Sequence, residues 1–172
     1  MIVALGNKTP QIAESAFVSE YASVIGDVKI GEYCVAFPGA VIRGDLGGIR
    51  IGNYVLIEDN AVVHCDSQGL DIGDDVTLGH GTVIDCRRIG SGVLVGMNAT
   101  VLHHVEIGDS CIIAAGAVVA EGMIVPKDSF VAGVPARIIG KVSEKQWKWG
   151  NWRLELRSWW WETLQKYKSE RL

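Results

Sequence analysis

The 172-residue sequence lacks a long apolar segment, an excess of basic residues and a paired-cysteine motif. The formal net charge is −4, so the charge favours neither nucleic acid nor an anionic membrane surface as a partner. No run of about 18 apolar residues is present, and the apolar stretch at residues 1–5 is too short for a signal-peptide core. We therefore expect a cytoplasmic protein that binds neither nucleic acid nor a membrane.

Four cysteines are present, but no two of them form a C-x-x-C pair. This absence argues against a zinc ribbon and against a thioredoxin-like redox site, and we expect all four to be reduced. Cys34 and Cys111 occupy a small inward position of the repeat described next, where a thiol behaves as a small apolar group. Cys65 and Cys86 directly follow His64 and Asp85, which leaves open a contribution of a thiol to a site there.

An apolar residue recurs every six positions over most of the chain, from Ile12 to Val131. A period of six fits neither a helix nor a simple alternating strand. It is typical of a hexapeptide β-helix, in which each hexad forms one short strand and three hexads close one triangular coil. The pattern predicts a mainly β domain over residues 1–142. Gly, Asp and Asn, for example in Gly26-Asp27 and Gly52-Asn53, fall at corners that need strained backbone angles.

The period is interrupted at residues 43–48, at residues 65–71 and at residues 87–88. We expect loops at these places, and loops on a rigid scaffold commonly carry function. Each interruption begins beside polar side chains that could belong to a site: Arg43, Asp45, His64 and Asp85.

The pattern changes to a helical one at Ser143. Ser143 and Gln146 have the spacing of a capping box, and all six tryptophans follow between residues 147 and 161. Aromatic side chains at helical spacing cover apolar surface efficiently. We predict that residues 143–172 form an amphipathic helix that packs on the β-helix.

Two imidazoles and one carboxylate are the candidate site residues. Alignment of the hexads places His64 and Asp85 in one column on neighbouring coils. His80 precedes Asp85 by five residues across a corner, which puts it on the order of 10 Å away, too far for one zinc ion to bind both. A metal site with all three side chains would therefore take His80 from a second chain, and threefold packing of prisms would form three such sites.

Several short motifs together resemble the γ-class carbonic anhydrases and their relatives among the hexapeptide-repeat proteins. The motifs are Arg43-Gly44-Asp45, Glu58-Asp59 shortly before His64, Gly79-His80-Gly81 and Ala132-Gly133-Val134-Pro135-Ala136. The resemblance covers residues 1–142 and implies a left-handed parallel β-helix that assembles as a homotrimer. It also implies one zinc ion, or iron or cobalt, at each subunit interface. The implied metal ligands are His64, His80 and Asp85, where Asp85 replaces a third histidine of the family.

The resemblance also assigns roles to polar residues around the implied metal. Glu58 and Asp59 take the place of a Gln-Asp pair near the metal-bound water, and Arg43 and Asp45 take the place of an ion pair between subunits. Metal-bound hydroxide would add to carbon dioxide to give bicarbonate. A carboxylate ligand makes the bound water less acidic, so we expect a carbonate dehydratase (a lyase) of weak activity.

Two other functions remain open. The first is an acyltransferase or acyl-CoA thioesterase that uses an interface histidine as general base and needs a groove for coenzyme A. The second is a trimeric scaffold without catalysis. Metal content of the purified protein separates these from the metalloenzyme. His103 and His104 begin a new coil without an evident partner, and we predict that they are packed or solvated side chains.

Overall fold

The structure is a computed structural model that describes residues 1–148, 162–164 and 166. The chain separates into two compact units, residues 1–141 and residues 142–172. The first unit contains all of the described β-strands, and the predicted site residues, which lie between residues 43 and 85, belong to it as well.

The first unit is a left-handed parallel β-helix, as predicted. Most of its strands are only two or three residues long, because each hexad supplies one strand before the chain turns a corner. The strands are β1 (Ile2–Val3), β2 (Gln11–Ile12), β3 (Phe17–Val18), β4 (Ser23–Ile30), β5 (Val35–Ala36), β6 (Val41–Ile51), β7 (Leu56–Ile57), β8 (Val62–His64), β9 (Leu70–Ile72), β10 (Thr77–Leu78), β11 (Val83–Ile84), β12 (Arg88–Ile89), β13 (Leu94–Val95), β14 (Thr100–Val101), β15 (Glu106–Ile107), β16 (Ile112–Ile113), β17 (Val118–Val119), β18 (Ile124–Val125), β19 (Ser129–Gly133) and β20 (Ala136–Lys141).

Strands on successive coils pair in parallel, so that β11 lies between β8 and β14. One sheet has twelve strands in the order β17-β14-β11-β8-β6-β9-β12-β15-β18, with β1, β2 and β4 attached beyond β6. This sheet covers two faces of the prism because β4 and β6 are long enough to continue around a corner. The third face is an eight-stranded sheet, which ends in the antiparallel pair β19 and β20.

The core is a stack of inward side chains, one aliphatic residue from each short strand. Val63 lies opposite Ile84 in the register of β8 and β11, and both side chains are fully buried. Burial of a valine or isoleucine side chain stabilises the fold by about 1.5–3 kcal/mol. The core therefore aligns successive coils in register, and the polar residues that follow each strand become neighbours.

The corner glycines have two different causes. Gly26 has the predicted left-handed backbone, with φ of 80°, whereas Gly52 does not. A Cβ atom on Gly52 would lie 2.5 Å from Asp74 Oδ1 of the next coil, although the φ angle of Gly52 is not positive. The left-handed backbone occurs two residues later, at Tyr54 with φ of 59°. The prediction of a strained angle at Gly52 is therefore wrong, and glycine is required there because two coils approach closely.

The prediction of a loop at residues 43–48 is also wrong. These residues lie inside β6, whose register with β4 shifts between Gly26 and Val28. The strands can pass closely because Gly44 has no Cβ atom. A Cβ there would lie only 2.4 Å from the carbonyl oxygen of Asp27. The extra residues are absorbed as an irregularity in a paired strand. Arg43 and Asp45 are consequently held by the sheet.

The second unit begins with the predicted capping box. The backbone N–H of Ser143 donates to Gln146 Oε1 at 2.8 Å, and the backbone N–H of Gln146 donates to Ser143 Oγ at 3.3 Å. Residues 144–148 and 162–164 are helical. The prediction for the tryptophans between residues 149 and 161 lies outside the described residues, and packing of this segment on the β-helix stays a prediction. No helix among the described residues has the length and apolar character needed to cross a membrane.

Candidate functional site

His64 and Asp85 lie side by side at the ends of two paired strands. Because Val63 is opposite Ile84, the residues that follow these two positions are neighbours on successive coils. His64 Nδ1 lies 3.3 Å from Asp85 Oδ2. The predicted column of these two side chains is confirmed.

The other ring nitrogen of His64 faces a second carboxylate. His64 Nε2 lies 2.9 Å from Asp45 Oδ1, and the His64 side chain is largely buried. An ionised carboxylate only accepts hydrogen bonds, so Asp45 and Asp85 each offer an acceptor to one nitrogen of the His64 ring. His64 is thereby oriented from both sides.

Asp45 also accepts a hydrogen bond from Arg43 of the same chain. The sequence predicts these two residues as an ion pair between subunits, whereas the structure shows them paired within one subunit. Burial raises the pKa of Asp45, but the hydrogen bonds from His64 and from the Leu46 backbone N–H, with the charge of Arg43, hold this pKa below its ordinary value. Asp45 is therefore a carboxylate at neutral pH.

His103 lies on the other oxygen of Asp85. His103 Nδ1 is 3.3 Å from Asp85 Oδ1, and half of the His103 side chain is exposed. His103 is thus partly solvated, as predicted, but it has a carboxylate partner that the sequence did not reveal. Strands β11 and β14 pair with Ile84 opposite Val101, so the residues after the two strands approach each other. The strand register carries the signal for this contact, whereas the spacing expected of metal ligands does not.

Asp85 Oδ1 is inaccessible to solvent and has no aligned hydrogen bond among the described residues. Its distance to His103 Nδ1 is that of an ion pair, but the N–H is not directed at the oxygen. A buried acceptor without a hydrogen bond costs about 1–3 kcal/mol. An Nδ1–H of His103 directed at Asp85 Oδ1 would satisfy this acceptor and would leave Nε2 as the acceptor nitrogen of the ring.

His80 belongs to a separate group of side chains. His80 Nδ1 lies 2.9 Å from Asp59 Oδ2, and His80 Nε2 lies 3.3 Å from Glu58 Oε2. Glu58 also accepts the backbone N–H of His80 at 3.1 Å. The predicted site residues thus form two groups in one chain, and His80 makes its ion pairs with Glu58 and Asp59 instead of Asp85.

No three His, Cys, Asp or Glu side chains in the described part of one chain are arranged to hold a metal ion. His64 and Asp85 are adjacent, but each is already engaged by further protein groups. A metal on His64, Asp85 and the His80 of a second chain stays a prediction, for zinc as for iron or cobalt. Elemental analysis of protein purified without added metal measures it directly.

His104 differs from His103 although the two are adjacent in sequence. His104 Nε2 lies 3.2 Å from Asp66 Oδ2, and its Nδ1 lies 3.2 Å from Glu121 Oε1. Both nitrogens of His64 and of His80 are likewise beside carboxylates. Within the described part of the chain, His103 is thus the histidine whose second ring nitrogen, Nε2, has no ion-pair or hydrogen-bond partner.

The cysteines beside the site do not offer reactive thiols. Burial raises the pKa of Cys86 to about 12 and also raises the pKa of Cys65. Both side chains point into the core, as do Cys34 and Cys111. A thiolate is the nucleophilic and metal-binding form, so a contribution of Cys65 or Cys86 to the site is disfavoured.

Comparison with known proteins identifies relatives that transfer acyl groups. Residues 88–121 match the family model described as bacterial transferase hexapeptide (six repeats). A crystal structure of a candidate acetyltransferase from Bacillus cereus is 34% identical and superposes with a TM-score of 0.89, covering 98% of this chain and 96% of that one.

Two further relatives carry names with a defined reaction. A perosamine N-acetyltransferase from Caulobacter crescentus, in complex with CoA and GDP-perosamine, is 28% identical with a TM-score of 0.58, covering 77% of this chain and 57% of that one. A 2,3,4,5-tetrahydropyridine-2,6-dicarboxylate N-acetyltransferase from Clostridium perfringens is 49% identical over 57 residues. That match covers 33% of this chain and 23% of the relative, so the chain spans less than a quarter of the curated relatives that it matches.

The predicted carbonic anhydrase function is wrong, because the similar proteins are acetyltransferases. The short motifs around His64 and His80 identify the hexapeptide fold, which hosts several reactions, and do not identify the reaction. The predicted repeat and fold agree with the match that extends over nearly the whole chain. The chain belongs to the hexapeptide-repeat transferase family.

Proposed function

We propose that the protein transfers an acetyl group from acetyl-coenzyme A to the amino group of a small molecule. The observation that carries this proposal is the pair of His103 and Asp85. Nδ1 of the half-exposed His103 ring faces the carboxylate, and Nε2 has no ion-pair or hydrogen-bond partner among the described residues. An imidazole oriented in this way is the usual general base for acyl transfer. The similarity to N-acetyltransferases, one of them in complex with CoA, supports the same reaction.

The mechanism assigns one proton transfer to His103. The amine nitrogen of the acceptor attacks the thioester carbonyl carbon while His103 Nε2 accepts a proton from that nitrogen. Asp85 holds Nδ1–H and stabilises the imidazolium that forms. The carbon–sulfur bond then breaks, and the thiolate of coenzyme A receives the proton from His103. General acid–base catalysis of this kind contributes about 10²–10⁴-fold to the rate.

The test measures release of the coenzyme A thiol from acetyl-CoA by the full-length protein with a panel of amino sugars, amino acids and nucleotide-linked amino sugars. The wild-type protein should accelerate release with at least one acceptor, and His103→Asn should lose about 10²-fold or more of this rate. His80→Asn is the matched control, because His80 and His103 side chains are both 50% exposed. Equal activities of the wild type and His103→Asn would overturn the assignment of the base.

We further propose that the active form is a homotrimer. Val62 and Val83 point outward from β8 and β11, next to His64 and Asp85, and are 37% and 42% exposed. Apolar side chains stacked on a flat sheet face beside a functional group favour a subunit interface. Sedimentation equilibrium should give three times the chain mass for the wild type and a smaller mass for Val83→Glu. A wild-type monomer at micromolar concentration would contradict the trimer.

A further inference from the structure

We propose that His64 is a positioning residue that acts on His103 through the carboxylate of Asp85. This inference rests on the proposed role of His103 as general base. Five side chains form one continuous chain of polar contacts, in the order Arg43, Asp45, His64, Asp85 and His103. His103 is the end of this chain and the member that exposes an unpaired ring nitrogen among the described residues.

The contacts run across the coils, perpendicular to the strands. Arg43 lies opposite His64 in the register of β6 and β8, and Asp85 follows β11 on the next coil. Asp45 Oδ1 is 2.9 Å from His64 Nε2, and His64 Nδ1 is 3.3 Å from Asp85 Oδ2. Cationic or imidazole groups alternate with carboxylates along the whole chain, so each neighbouring pair combines a side chain able to donate with one that accepts.

Asp85 needs a second group to fix its orientation. A carboxylate can rotate about its terminal bond, and the contact with His64 holds one of its two oxygens. The other oxygen then faces His103. Removal of the His64 donor would free the carboxylate to turn, and His103 would lose the acceptor that selects its Nδ1–H form.

Asp45 and Arg43 in turn fix the orientation of the His64 ring. Asp45 lies inside β6 and accepts from both Arg43 and His64. The ring of His64 is thus held at both nitrogens by carboxylates on rigid strands. A side chain locked on both sides can position a neighbour more precisely than one that is held at a single atom.

His104 provides an internal control for this argument. Like His64, it has a carboxylate at each ring nitrogen, namely Asp66 and Glu121. Neither of these carboxylates contacts His103 in the described part of the chain. A substitution at His104 therefore removes an equivalent set of contacts without interrupting the route from Asp45 to His103.

The test records long-range proton–nitrogen NMR spectra of the histidine rings in the full-length protein at one neutral pH. In the wild type, His103 should be in the form protonated at Nδ1. In His64→Phe, which keeps a ring without donors, we expect His103 to become a mixture of the two neutral forms. His64→Asn should restore the wild-type signal in part, because its amide nitrogen occupies the place of Nδ1. His104→Asn should leave the His103 signal unchanged.

An unchanged His103 signal in His64→Phe would overturn the proposal, as would an equal change in His104→Asn. If His64→Phe does not fold, the comparison of Asp45→Asn with the wild type decides the question. It should shift the His103 signal in the same direction, and no shift would overturn the proposal.

Kinetics separate this inference from the proposed function. His64→Phe should lower kcat by about 10-fold with little change in the KM for acetyl-CoA, and His64→Asn should recover part of the loss. Absence of acetyl transfer by the wild type would refute the function while the NMR comparison still decides the positioning. An active wild type with an unchanged kcat in His64→Phe would refute the positioning alone.

Discussion

Two clusters of side chains in this molecule combine histidines with carboxylates, but the ratio of carboxylates to histidines differs between them. The strand-end cluster consists of Asp45, His64, Asp85 and His103, and the corner cluster consists of Glu58, Asp59 and His80. The corner cluster has two carboxylates for one imidazole, and both ring nitrogens are engaged. The strand-end cluster has two carboxylates for two imidazoles, so one ring nitrogen, His103 Nε2, is left without a carboxylate partner among the described residues.

The positions of the clusters on the β-helix explain this difference. The strand-end cluster lies in β6 and at or after the ends of β8, β11 and β14, whose register places side chains of successive coils next to each other. His80 lies between Gly79 and Gly81 at a corner, where its backbone N–H is bound by Glu58. At the corner, both carboxylates contact the single ring of His80. At the strand ends, the carboxylate of Asp85 is shared between His64 and His103.

The largest effect should come from the shared carboxylate. Asp85→Asn should reduce kcat/KM for acetyl transfer by about 10²-fold, because an amide stabilises the His103 imidazolium poorly. Asp59→Asn makes the equivalent change in the corner cluster and should alter kcat/KM less than about 3-fold. Initial-rate measurements on both variants compare the clusters directly, and similar losses in the two would remove the distinction between them.

A smaller effect on stability should come from the corner that carries His80. Gly81 has φ of 68°, and a Cβ there would lie 2.4 Å from Asn98 Oδ1. Gly116 has the same φ, but nothing lies within 4 Å of its Cβ position. Both alanine variants should lose about 1–3 kcal/mol from backbone strain, and Gly81→Ala should lose more because of the crowding.

Thermal unfolding of both glycine variants measures this difference. For a protein of this size, 1 kcal/mol corresponds to about 2–4 °C in Tm. Acetyl transfer per folded molecule should stay near the wild-type rate in Gly81→Ala, because His103 belongs to the other cluster. A greater loss in Gly116→Ala would show that crowding does not determine the effect.

The smallest effect should come from a carboxylate outside both clusters. The hydrogen bond from Arg50 holds the pKa of Asp27 below its ordinary value of 3.8. Because the folded-state pKa is depressed, the stabilisation is present above the ordinary value and is lost as the pH falls through the folded-state value. The pair is largely exposed, so the contribution is small.

Denaturant unfolding of Asp27→Asn and the wild type between pH 7 and pH 2 measures this contribution. The wild type should be slightly more stable at pH 7, and the two stabilities should converge at the acid end. Acetyl transfer should be equal in the two proteins at pH 7. A difference in stability that grows as the pH falls would contradict the assigned role of Arg50.

The sequence by itself determined the fold and one contact of the site. The six-residue period identifies the inward side chains, and their stacking aligns Val63 with Ile84. The register of paired strands follows from the pattern of buried side chains. The neighbouring positions of His64 and Asp85 could therefore be predicted from the sequence alone. The capping box of Ser143 and Gln146 was equally local and therefore predictable.

Only the tertiary structure decided which ring nitrogens are engaged. The partners of His64, His80, His103 and His104 are carboxylates on other coils or at turns, at distances of 2.9–3.3 Å. Such distances depend on side-chain rotamers and on the irregular register of β6 with β4, neither of which the period specifies. Short motifs were likewise insufficient to determine the reaction, because the same hexads and glycines serve every member of the fold.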